Sequence, residues 1–160
     1  MIEFLQGVTS QVPVALQWAV VVVLGAIPFI ESYSGSALGV VAGVPVWVAV
    51  PAAVAGNIVS LLFSVAMSVR LRDKVRAGRA DRPRTEPSPR RAKLRKQFDR
   101  YGVAGVALLG PLALPSQITA AATVSFGAPR GAVVFWQSVA IVLWGVGFGA
   151  LAALGVAVLA

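Results

Sequence analysis

The chain has 160 residues, 58% of them hydrophobic and only 12% charged, with a formal net charge of +8; soluble domains carry about 25% charged residues. With no Cys and no His, disulfides, thiolate chemistry, haem attachment and nearly all zinc and iron sites are excluded. There is no Gly-rich phosphate loop followed by Lys, no nucleophile–base pair and no set of metal ligands, so neither an enzyme nor a cofactor is expected, and ATP is not expected as the energy source.

In chain order, four apolar blocks run over Val12–Ile30, Ala37–Val69, Tyr101–Pro129 and Gly131–Ala160. Each reaches the length of about 18 residues that marks a membrane-spanning segment. Val12–Ile30 has no basic leader and no small-residue cleavage signal, so it is expected to be retained as a first span. As one helix Ala37–Val69 would be about 50 Å long at 1.5 Å per residue, well beyond a hydrocarbon core of roughly 30 Å. Pro45 and Pro51 interrupt it, and each removes a backbone donor and disfavours helix just before it. The expectation is a short segment ending near Pro45, then a full span from Val46 to Val69.

Thirteen of the fourteen basic residues lie between Arg70 and Arg100, a bias that places this loop on the cytoplasmic side. A basic run could also neutralise nucleic-acid phosphates, but this one is tethered to apolar blocks at both ends, so no nucleic acid is expected. Ala77–Pro89 reads as flexible linker. From Pro89, the residues Leu94, Phe98 and Tyr101 recur at helical spacing among Arg90, Arg91, Lys93, Arg95, Lys96 and Arg100. This predicts a basic helix, either lying on anionic headgroups or simply solvated.

Tyr101–Pro129 contains Pro111, Pro115 and Pro129 besides four glycines. Two half-length helices joined near Gly110–Pro115 fit it better than one straight helix, although a kinked ordinary span is the simpler alternative. Broken backbone at membrane depth survives only where protein or a water-filled cavity surrounds it, and interrupted segments are a pointer to transport sites. The predicted fold is an all-α integral membrane protein with full transmembrane helices and two re-entrant hairpins, near Ile27–Pro45 and Val106–Pro129, arranged as an inverted repeat. Gly43-Val44-Pro45 and Gly127-Ala128-Pro129, 84 residues apart, occupy equivalent places in it. Residues 1–69 would form the first half, 70–100 the basic cytoplasmic loop and 101–160 the second half.

Glu31 directly follows the first apolar block and, Glu3 aside, is the only acidic residue outside the basic loop. A carboxylate near mid-membrane costs about 2.5–3.5 kcal/mol on insertion scales, and burial disfavours its charged form, as a proton-coupled carrier requires. Ser32, Tyr33, Ser34 and Ser36 would supply hydroxyls within a tight turn around Gly35. Alternatively ESYSGS is a solvated external loop with Glu31 at the headgroups. Ser116, Gln117 and Thr119 follow Pro115, and Ser116 and Gln117 would face Glu31 if the two loops meet. Asn57 and Gln137 either line the same cavity or make interhelical hydrogen bonds. Gly39-x-x-x-Gly43 and Gly145-x-x-x-Gly149 are small-residue faces for close packing; the four tryptophans suit interface belts or packing.

The stretch Ile30-Glu31-Ser32-Tyr33-Ser34-Gly35-Ser36-Ala37-Leu38-Gly39 through Gly43-Val44-Pro45 and Gly56-Asn57 resembles the first re-entrant motif of the small multidrug export proteins, distant relatives of the DedA membrane proteins. Tyr101-Gly102, Leu114-Pro115-Ser116-Gln117 and Phe126-Gly127-Ala128-Pro129 resemble the second. The resemblance implies re-entrant loops meeting in an inverted repeat, often in a dimer. Its family name implies drug efflux, while the DedA relatives imply flipping of phospholipids or polyprenyl phosphates. Two departures stand out: Tyr33 replaces an Arg common in the family, and Pro115-Ser116-Gln117-Ile118 replaces a Pro-Gly-Thr-Gly-like turn.

The expected function is a secondary transporter of the bacterial inner membrane, multi-pass and proton-coupled, moving a small or amphipathic substrate with Glu31 as proton and substrate site. The alternatives are a flippase or scramblase for anionic lipid such as a polyprenyl phosphate, and a non-transport assembly protein. The partners are then membrane lipids, protons, the substrate and, as a homodimer, a second copy.

Overall fold

Proline and glycine positions set where the helices begin and end. The computed structural model describes residues 13–77, 89–112 and 114–159; residues 78–88 of the expected linker lie outside them. The described residues form six α-helices: α1 (Val14–Ala26), α2 (Glu31–Val41), α3 (Val46–Ala77), α4 (Pro89–Leu109), α5 (Ser116–Ser125) and α6 (Arg130–Leu159), with a 3₁₀ turn over Gly110–Leu112. No strand occurs among the described residues. Within α3 and α6, Val46–Leu71 and Arg130–Val158 are long and apolar enough to cross a membrane.

The expected single helix over Val12–Ile30 ends instead at Ala26. Pro28 follows, and the residue before a proline is driven from helical to extended backbone; Ile27 sits at φ −75°, ψ 124°. At 13 residues, α1 is about 20 Å long. The expected turn around Gly35 is likewise a helix, since α2 runs from Glu31 without interruption to Val41. Ser and Gly suggest a turn by local propensity, but here tertiary packing requires small residues. A Cβ on Gly35 would lie 3.2 Å from the Gly25 nitrogen, and one on Gly39 would lie 2.9 Å from Val21 Cγ2. Four residues forward on α2 thus match four residues back on α1, an antiparallel pair.

The break before Pro45 is as expected. Ala42 and Gly43 end α2 with Gly43 at φ 94°, and the N–H groups of Val44 and Gly43 bond the carbonyls of Gly39 and Val40 at 2.9 and 3.0 Å. This is the helix-terminating arrangement that satisfies carbonyls left over at a C-terminus. It recurs 84 residues later. Gly127 has φ 104°, Ala128 N–H bonds Thr123 O at 3.3 Å, and Gly127 N–H bonds Val124 O at 3.1 Å. The next helix starts alike in both places, with Ala49 N–H on Pro45 O at 2.9 Å and Val133 N–H on Pro129 O at 3.1 Å. A Cβ would meet nothing within 4 Å at Gly43 or Gly127, so alanine there costs only backbone conformation. Gly43→Ala and Gly127→Ala are each expected to lose about 1 kcal/mol of stability, measured by thermal unfolding in detergent.

The chain divides into two units, residues 1–60 with 140–160 and residues 61–139. In the first, Val21, Val40, Val44, Ala49, Ala52 and Ala53 form a core of small side chains. In the second, Leu61, Val65 and Val69 give α3 a buried stripe at four-residue spacing, and Leu94, Val106, Ala120, Val124 and Val133 are buried too. Large apolar side chains stay exposed on α6, among them Leu143, Leu151, Leu154 and Val158.

Helix α4 is interrupted at Gly102, whose φ 66°, ψ −165° lies outside the helical region. Such backbone is essentially restricted to glycine, and it separates the basic helix Pro89–Tyr101 from the apolar Val103–Leu109. The apolar face of the basic helix turns toward protein. Leu94 is buried, Phe98 meets Phe126 at 5.8 Å between ring centroids, and the Arg95 guanidinium sits 5.2 Å from the Phe126 ring centroid. Arg95 also pairs with Asp99 at 3.1 Å. Lys93, Lys96 and Arg100 are exposed, and Arg100 lies over the Tyr101 ring at 5.1 Å. The side chains of Arg90 and Arg91 lie outside those described.

Candidate functional site

Glu31 opens α2 immediately after the proline turn, and its backbone is held at φ 54°, a region uncommon for a residue with a side chain. Phe29 precedes it at φ 74°. The turn is fastened by Ile27 O, which accepts from Ile30 N–H at 3.2 Å and Glu31 N–H at 3.0 Å. Two unusual conformations beside a buried acid are the kind of strain that concentrates at functional sites. Glu31 is 2% exposed, so its side chain is buried within the protein.

The surroundings of Glu31 are unusual in charge. The unit made of residues 1–60 and 140–160 contains no Lys, Arg or His in its sequence. A buried ionised carboxylate needs compensation or it takes up a proton, and no cationic side chain of this unit can supply compensation.

Ser32 donates from Oγ to Ile141 O at 2.7 Å. A Cβ on Gly145 would lie 3.2 Å from Ser32 Cβ, and one on Gly149 would lie 3.4 Å from Ser36 Cβ. Residues advance together on α2 and α6, so the two helices run in the same direction along a Ser-x-x-x-Ser against Gly-x-x-x-Gly seam. Ser36 Oγ is buried without a hydrogen-bond partner. Ser32→Ala is expected to cost about 1 kcal/mol, read as a lowered unfolding midpoint. Tyr33 and Ser34 are half-buried; the Tyr33 hydroxyl donates to Phe29 O at 3.1 Å. Asn57 is fully buried in the same unit.

Ser116, Gln117, Thr119 and Gln137 belong to the second unit and are all buried. Ser116 begins α5 after Pro115. The backbone carbonyl of Gln117 accepts from Ser64 Oγ at 3.1 Å, and that of Thr119 accepts from Thr123 Oγ1 at 2.7 Å. Thr119 Oγ1 and Gln137 Oε1 are buried without a hydrogen-bond partner. The buried face of α5 repeats that of α2. Ser32, Gly35, Ser36, Gly39 and Val40 are buried on α2, and Ser116, Thr119, Ala120, Thr123 and Val124, each 84 residues on, are buried on α5.

Sequence reasoning missed the two aromatic side chains that join Tyr33. Tyr33 meets Phe148 edge-on, with centroids 5.5 Å apart, and Phe148 meets Trp144 at 5.8 Å. The available signal was spacing: Trp144 and Phe148 each stand one residue before a glycine of the Gly145–Gly149 pair. Among the described residues no group of His, Cys, Asp or Glu could hold a metal ion. No family model matches the chain, and no curated protein or solved structure matches it.

Proposed function

We propose that this protein is a proton-coupled secondary transporter, working as a homodimer in the bacterial inner membrane, in which Glu31 takes up and releases the coupling proton. The observation that carries this reading is a carboxyl 2% exposed in a unit whose sequence offers no basic side chain. An exchangeable proton is the simplest neutraliser of such a group, and an intramembrane acid is a functional candidate by default. Two helices long and apolar enough to cross a membrane support the membrane setting, as do the large apolar side chains exposed on α6.

In this reading α1–α2 and Val103–α5 are re-entrant hairpins. Their helices are too short to span singly, since α2 and α5, with 11 and 10 residues, reach about 17 and 15 Å. The shared helix-ending hydrogen bonds and the shared buried faces, both at a spacing of 84 residues, support an inverted repeat. The basic loop would stay cytoplasmic, as basic loops do. A lipid-flipping reading draws on one observation, the buried Ser116 at the N-terminus of α5, where helix dipoles favour anions.

Proteoliposomes with a preset pH gradient and an internal pH dye test the proposal. Lipophilic cations and a short polyprenyl phosphate are added in turn. Substrate-dependent collapse of the gradient by the wild type is expected with one class. Flux of the polyprenyl phosphate without proton movement would favour flipping instead.

A further inference from the structure

We propose that the basic helix Pro89–Tyr101 and the start of α6 form a docking surface for anionic phospholipid headgroups, held by charge and without insertion. The inference uses the membrane setting of the proposed function and not Glu31. Both segments belong to the second unit. The basic helix has its apolar face against the protein: Leu94 is buried and the Phe98 ring lies 5.8 Å from that of Phe126. A helix that binds membranes by burying apolar area needs that face free. What points outward here is charge, with Lys93, Lys96 and Arg100 exposed. Asp99 is the only acid of the sequence between Pro89 and Val139, and Arg95 pairs with it at 3.1 Å. The net charge of the face is therefore positive.

The contact with Phe126 also fixes where this surface lies. Phe126 caps the end of α5 and stands four residues before Arg130, where the apolar stretch Arg130–Val158 begins. The basic helix is thus packed on the turn that leads into a membrane-crossing segment, where hydrocarbon gives way to headgroups. Arg130 is exposed and adds a cation at that boundary. In the first unit, a Cβ on Gly145 would meet Val54 and one on Gly149 would meet Val50, so α3 and α6 run in opposite directions. The apolar stretch Val46–Leu71, with Arg70 exposed near its end, therefore finishes on the side where α6 starts. The kink at Gly102 divides the charged helix, which follows the surface, from the apolar Val103–Leu109. Tyr101 stands at the division under the Arg100 guanidinium, as aromatic and basic side chains do at membrane interfaces. A soluble polyanion would meet the same cations, but beside two membrane-crossing segments the phosphates at hand are those of lipid.

The test is equilibrium binding of radiolabelled phosphatidylglycerol to the purified full chain in neutral detergent, beside phosphatidylcholine of the same acyl chains. Preference for phosphatidylglycerol is expected, and it should weaken as salt rises. Lys93→Gln and Lys96→Gln should each weaken phosphatidylglycerol binding about fivefold. Asp99→Asn, which removes the one acid of the surface, should strengthen it. All three side chains are exposed, so unchanged circular dichroism is expected and checks the fold. Equal binding of the two lipids, or lysine variants with the wild-type preference, would overturn the inference. So would displacement of the lipid by an equimolar short single-stranded oligonucleotide, which would assign the surface to a soluble polyanion. Preference for phosphatidylglycerol without gradient-driven flux supports this surface and sinks proton coupling. Flux with equal binding of both lipids does the reverse.

Discussion

Glu31→Gln is expected to reduce gradient-driven transport to the rate of protein-free liposomes while leaving the fold intact. Glutamine keeps the size and hydrogen-bonding capacity of a protonated glutamic acid, so the buried site loses only the ability to exchange a proton. The residue stands alone in this respect. Glu3 is the other acid of its unit's sequence and lies outside the described residues, and no basic side chain of that unit could take over the charge. Glu31→Asp keeps the acid but withdraws it by one methylene, and an intermediate rate is expected. Circular dichroism and the elution volume in detergent check that loss of flux is not loss of structure. A Gln variant that still coupled substrate movement to protons would remove Glu31 from the mechanism.

The largest stability effects are expected where helix backbones touch. A Cβ on Gly25 would collide with the carbonyl oxygen of Ala53, and one on Gly56 would collide with that of Val22. Both obstacles are backbone, so no side-chain rotation relieves them and α1 must move away from α3. That movement opens the core around Val21, Ala49 and Ala53. Gly25→Ala and Gly56→Ala are each expected to cost about 3 kcal/mol, the upper part of the usual range for overpacking. Gly147 and Gly155 on α6 supply the opposite sign. A Cβ there meets nothing within 4 Å, and alanine in a helix interior gains about 0.5–1 kcal/mol over glycine. Thermal unfolding of the four variants in one detergent makes the comparison. If Gly56→Ala were as benign as Gly147→Ala, the close approach of α1 and α3 would be wrong.

The parts of the fold that could be read in the sequence are those written in glycine and proline. Gly43-Val44-Pro45 ends one helix and starts the next, and so does Gly127-Ala128-Pro129, because a positive φ and a missing donor act locally whatever surrounds them. The two long apolar helices were legible for a similar reason, since length and hydropathy need no tertiary information. Residues 27–36 were harder. Pro28 lay within an apolar run long enough to pass for one span, although it forces Ile27 into extended backbone. Ser32, Gly35 and Ser36 suggested a turn, whereas they are small because α1 and α6 approach α2 closely. Glu31 was identifiable as the one acid between two apolar blocks away from the basic loop, but its burial depends on that packing. Trp144 and Phe148 carried only their spacing, each one residue before a glycine, and its meaning comes from the ring of Tyr33, more than a hundred positions away in the chain.

Whether Glu31 exchanges a proton is read at the carboxyl itself by infrared difference spectroscopy during a pH titration of the membrane-reconstituted protein. A protonated-carboxyl band that appears and disappears within the range of pH a bacterial membrane experiences, and that is missing from Glu31→Gln, is the predicted result. A wild-type spectrum with no such band, identical across that range to the Gln variant, would mean that Glu31 carries no exchangeable proton and would contradict the proposed mechanism.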